Sequence, residues 1–84
     1  DADYNKALFN LQEAQKLFSE RRYPQALAEI NKSVDSAPNM ALAYAVRGSI
    51  YYMLRQFQEA KSSWEKALEL DPSMDNVRAI LYRM

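Results

Sequence analysis

The residues best placed to do chemistry are the carboxylates Glu59, Glu65, Glu69 and Asp71. A pair of carboxyl groups can serve as general acid and base when both face one cleft. Here they alternate with Lys61 and Lys66, and Glu65 and Glu69 are four apart. That is the pattern of a solvated helix face rather than of a converging pair. The chain has no cysteine and no histidine. Thiolate nucleophiles, disulfides, zinc fingers and Ser-His-Asp triads are therefore excluded, together with the side chain that most often moves protons near neutral pH. With 84 residues there is room for one modest core and no walled cavity. No enzyme, no metal and no cofactor is expected.

Nucleic acid and membrane are poor partners on charge. Eleven basic and eleven acidic residues give a formal net charge of zero, so nothing draws the chain toward phosphate backbones or anionic lipid. Trp64 and the six tyrosines could stack on bases, but aromatic residues at helical spacing are core-forming. Arg21 and Arg22 read as basic residues meeting the exposed carbonyls of a helix end. No apolar run approaches the ~18 residues of a membrane span, and the start Asp1-Ala2-Asp3 is unlike a basic signal-peptide front. Absence of an initiator methionine suggests a processed chain or a piece of a longer one. Absence of cysteine leaves the compartment open.

The elements behind these residues repeat. Pro38 and Pro72 are 34 positions apart, and Ala7, Leu8, Arg21, Ala26, Lys32 and Met40 recur in register as Ala41, Leu42, Arg55, Ala60, Lys66 and Met74. Similar types match elsewhere: Ala14 with Gly48, Leu17 with Tyr51, Phe18 with Tyr52, Tyr23 with Phe57, Ile30 with Trp64. A period of this length marks a stacked repeat. Each copy predicts two helices with apolar spacing near 3.6. Pro24 suits the first turn of the second helix, which must end before Pro38 because the residue ahead of a proline disfavours helical geometry. Gly48, the only glycine, costs about 1 kcal/mol against alanine inside a helix. Close helix approach to the small Ala60 is the expected compensation. Asp3 is the expected N-cap of the first helix.

These positions resemble the tetratricopeptide repeat family. The second copy fits through Tyr44, Gly48, Tyr51, Ala60, Trp64, Ala67 and Pro72, with Arg47 in place of a leucine. The first fits more loosely, with Asn10, Glu13, Leu17 and Ser33 at the corresponding points. The resemblance implies an all-α fold: an α-solenoid of two helix-turn-helix repeats and a C-terminal capping helix, five helices in all. Residues 1–6 extend the first helix, 7–40 and 41–74 are the repeats, and 75–84 form the cap. Tyr82 falls where the repeats place Ala14 and Gly48, too large for another helix to cross closely, so continuation past the C-terminus is the less expected.

In the family the first helices of successive repeats line a concave face that receives a peptide or helix of another protein. By position this face would present Leu8, Leu11, Gln15 and Phe18, then Leu42, Val46, Ser49, Tyr52 and Met53, then Asn76, Ile80 and Arg83. Only Arg83 there is basic, which again argues against nucleic acid. Family members that hold chaperone C-terminal carboxylates use lysine, asparagine and arginine, where this chain has Leu11, Gln15, Val46, Asn76 and Ile80. Chaperone tails are therefore expected to be excluded. Three uses of the apolar stripe remain. They are a groove for a hydrophobic or amphipathic partner segment, a self-association surface or contact with other parts of a longer chain, and ordinary packing inside the hairpins.

Overall fold

A computed structural model describes residues 1–84. The chain forms five helices, α1 (Ala2–Ser19), α2 (Tyr23–Ser36), α3 (Ala41–Met53), α4 (Phe57–Leu70) and α5 (Asp75–Arg83). The two hairpins α1–α2 and α3–α4 stack through α2 and α3, and α5 lies on α4. The five-helix, all-α repeat architecture expected from the 34-residue period is the one observed.

The cap of α1 is Asp1, not Asp3. Its carboxylate accepts a hydrogen bond from the Tyr4 N–H at 2.8 Å, the N-cap to N3 geometry, and Asp3 falls inside the first turn. Pro24 sits in the first turn of α2 as expected.

Both first helices end in the same way. Arg22 N–H donates to the Leu17 carbonyl at 2.9 Å and Arg21 N–H to Phe18 at 3.0 Å; Gln56 to Tyr51 and Arg55 to Tyr52 repeat the pattern. This is the Schellman closure, which needs a left-handed residue just past the cap. Arg21 and Arg55 fill that position with φ of 62°, where glycine is usual. The carbonyls are thus met by backbone N–H groups and not, as expected, by arginine side chains. A left-handed non-glycine residue costs about 1–2 kcal/mol, whereas a cation beside a helix C-terminus gains about 0.3–1 kcal/mol. The dipole does not repay the backbone.

The core has two halves. Leu11, Ala14, Ala26, Ile30, Ala43 and Ile50 form the first, and Tyr44, Ala45, Ala60, Trp64, Ala67 and Val77 the second, with Val34 packed against both. Ile30 and Ile50 are fully buried, each contributing about 1.5–3 kcal/mol. Polar groups in the core are paired across helices. Ser33 Oγ donates to the Ala7 carbonyl at 2.8 Å, and Trp64 Nε1 donates to the Ala45 carbonyl at 3.1 Å. The compensation for Gly48 is the indole of Trp64. A Cβ on Gly48 would run into the Trp64 indole, so the close approach made there is to an aromatic ring on the second helix.

Arg47, which stands where the repeat usually has leucine, ties the hairpins together. Its Nε donates to Ser63 Oγ on α4 at 3.1 Å and its Nη1 to Asn31 Oδ1 on α2 at 3.2 Å. The guanidinium also lies 5.2 Å from the Tyr44 ring centroid and 5.9 Å from that of Tyr51, within cation–π range.

Candidate partner-binding groove

α1, α3 and α5 share one face, and at its open side the ends of the helices bring apolar residues together. Phe18 packs edge-on against Tyr23 with centroids 5.3 Å apart, and Tyr52 repeats the contact with Phe57 at 5.2 Å. Each pair braces the last turn of a first helix against the first turn of a second helix. The Phe18 and Tyr52 rings are thereby held at the rim instead of collapsing inward. Tyr52 also leans on Trp64 at 5.9 Å.

Between these rings lies a recess of about 470 Å³, lined by Phe18, Ser49, Tyr52, Met53, Trp64, Ile80, Arg83 and Met84. Six of the expected face residues meet here. A smaller adjoining recess of about 220 Å³ is formed by Gln15, Phe18, Val46 and Ser49. Tyr52, Met53 and Ile80 remain exposed although they are large and apolar. No buried side-chain polar atom lacks a partner; of the polar residues bordering the two recesses, Ser49 Oγ already donates to the Ala45 carbonyl at 3.3 Å, while Gln15 is exposed and Arg83 is in no ion pair.

The remaining expected residues are placed elsewhere. Leu11 is only 2% exposed and belongs to the first core half, because it shares the helical stripe of Ala7 and Ala14, four and three residues away. Leu8 is half-buried and packs against the same core. Leu42 and Asn76 are exposed but border neither recess. Two lining residues, Trp64 and Met84, are not among those expected. Trp64, expected in the core, is buried there, and its ring also floors the groove. The usable signal was Gly48: with no Cβ on α3, the indole can reach past the helix. Glu59, Glu65 and Glu69 are exposed on α4, with Glu69 paired to Lys66 at 3.5 Å, and they do not converge on the groove. No helix is long and apolar enough to cross a membrane.

A sequence profile of the tetratricopeptide repeat matches residues 41–74. The Hsp70-Hsp90 organizing protein of Triticum aestivum is 35% identical over 78 residues, covering 93% of this chain and 13% of that protein. The chain spans only 11% and 13% of the length of the first curated relatives it matches. Among solved structures, the first TPR domain of the human RPAP3 protein superposes with a TM-score of 0.89 at 24% identity, over 93% of this chain and 61% of that one. The TPR2AB-domain:pHSP90 complex of yeast Sti1 superposes with a TM-score of 0.83 at 27% identity, over 87% of this chain and 28% of that one.

The expected exclusion of chaperone tails does not stand against these relatives, one named for Hsp70 and Hsp90 and one solved in complex with pHSP90. The physical reason lies in the form of the inference. Missing lysine and asparagine at Leu11, Gln15, Val46, Asn76 and Ile80 removes one set of donors, not a class of ligand. An extended peptide can be held by whichever donors a groove presents, and this groove presents Gln15 and Arg83. The profile match, the structural neighbours and the 34-residue period agree: this chain belongs to the tetratricopeptide repeat family.

Proposed function

We propose that this protein-interaction module takes an extended segment of a partner protein into the groove between α1, α3 and α5. The segment places an apolar side chain in the recess of Phe18, Tyr52, Met53, Trp64 and Ile80. Gln15 and Arg83 meet its polar groups. The observation that carries this reading is the recess itself, with apolar side chains held open to solvent by the two aromatic braces. An apolar surface of this kind is favourable to cover, and donors at its border supply orientation. The relatives named for Hsp70 and Hsp90, and the Sti1 domain solved with pHSP90, support an Hsp90 peptide as the first partner to try.

Calorimetric titration with an Hsp90 C-terminal peptide and with an amphipathic peptide lacking carboxylates tests the reading. Met53→Glu and Phe18→Glu should each weaken peptide binding about tenfold or more, since an unpaired charge in an apolar site is costly, with helical circular dichroism retained. Unchanged affinity in both variants removes the groove assignment. If light scattering instead finds a dimer that these variants convert to monomer, the same surface serves self-association.

A further inference from the structure

Arg21 and Arg55 occupy matching positions in the two hairpin turns, each at the left-handed residue of its turn. Both side chains are exposed. Neither takes part in any of the four ion pairs of the molecule. The acids nearest in sequence do not serve them: Glu20 pairs with Arg22 at 3.8 Å, and Glu59 sits in the first turn of α4. A helix C-terminus does favour a cation, but one residue earlier, at Glu20 or Leu54, a cation would gain the same benefit in relaxed backbone. Strain retained at two equivalent exposed positions points to a use outside the hairpin.

We propose that the edge formed by the two hairpin turns is a docking surface for an acidic, extended segment of a partner protein, with Arg21 and Arg55 each holding a carboxylate. This surface borders the groove at the same helix ends, Arg21 three residues from Phe18 and Arg55 two from Met53, but shares no lining residue with it. Guanidinium groups suit carboxylates through paired N–H donors. A segment in polyproline II extension presents every third side chain on one side at a spacing of about 9 Å. The two turns belong to hairpins stacked directly on each other, so acidic residues at such a repeat can meet both.

Other occupants fit less well. A second copy of this chain would have to offer its opposite edge, where Asp1 caps α1, Asp75 pairs with Arg78 and Asp35 shares a recess with Lys6 and Lys32, so that Asp3 stands nearly alone as an open acid. Asp71 there accepts from the Ser73 hydroxyl and N–H, which hold its carboxyl below its usual range. Nucleic acid and anionic membranes reward many cations, and the formal net charge is zero.

Fluorescence anisotropy on the whole chain separates these cases. The probes are a labelled ten-residue peptide with glutamate at every third position, its glutamine counterpart, a single-stranded oligonucleotide and vesicles containing anionic lipid. The double variant Arg21→Gly/Arg55→Gly removes both cations while suiting the left-handed backbone, so it stays folded; Arg21→Lys/Arg55→Lys keeps the charge. The wild type should bind the glutamate peptide with an affinity that falls as salt is raised. The glycine variant should lose about tenfold or more, the lysine variant less, and Ile80→Ser should leave this affinity unchanged. The proposal is overturned if the glycine variant binds like the wild type, if the wild type does not prefer glutamate to glutamine, or if oligonucleotide or vesicles bind more tightly than the peptide.

Discussion

Gly48 and Trp64 decide both the packing and the site. Replacing Gly48 with alanine adds a methyl group where the indole already stands. Overpacking costs about 1–3 kcal/mol against about 1 kcal/mol regained in helix propensity, so the substitution should destabilise by about 1 kcal/mol in urea denaturation. Combining it with Trp64→Leu should recover part of that loss, because contacting residues are not additive. A Gly48→Ala variant more stable than the wild type would show that the indole contact does not govern this position. The same pair explains what was legible here. The lone glycine in a helix announced a close approach, and matching Ile30 with Trp64 announced a core residue. That a buried tryptophan also floors the groove depends on where its ring lies once α3 yields space.

The helix endings carry a second lesson. The recurrence of Arg21 as Arg55 was visible in the sequence, but basic residues at a helix end have two uses. The Schellman hydrogen bonds decide between them by placing both arginines in left-handed backbone. Arg21→Gly should raise stability by about 1 kcal/mol, the order of the cost removed, and Arg55→Gly should do the same, each read as a higher urea midpoint with unchanged slope. Leu11 shows the limit of positional inference along a helix. It lies three residues from Leu8 and four from Gln15, so all three fall on one broad side of α1. One side of a helix spans both groove and core, and only the contact with α2 and α3 separates the buried stripe from the open one.

For the molecule as a whole, the interface between hairpins adds a side-chain hydrogen bond to its apolar packing. Arg47 joins α2, α3 and α4 through Asn31 and Ser63, so Arg47→Ala leaves a buried serine hydroxyl without its donor at a cost of about 1–3 kcal/mol. Since the lost Asn31 bond is the one that crosses between repeats, the urea transition should broaden as well as shift, the hairpins coming apart less cooperatively. A shift without broadening would mean that Val34 and the two core halves couple the hairpins by themselves. The formal charge of zero also says less than it first suggests, because unpaired Arg21 and Arg55 share one edge while Asp1, Asp71 and Asp75 stand at the other. Composition averages over a distribution that the antiparallel hairpins sort by end.

The sequence by itself determined the period, the helices, their breaks and the family, because proline, small residues and apolar spacing act locally or recur at a fixed interval. Tertiary structure alone decided which side of each helix stays open, what Gly48 makes room for, and which polar groups border the recess. Those outcomes depend on how α1, α3 and α5 stand against one another, and no local pattern encodes that. The chaperone exclusion failed for the same reason: it compared residues at matched positions, whereas a groove recognises through the donors that its packed helices actually bring to the surface.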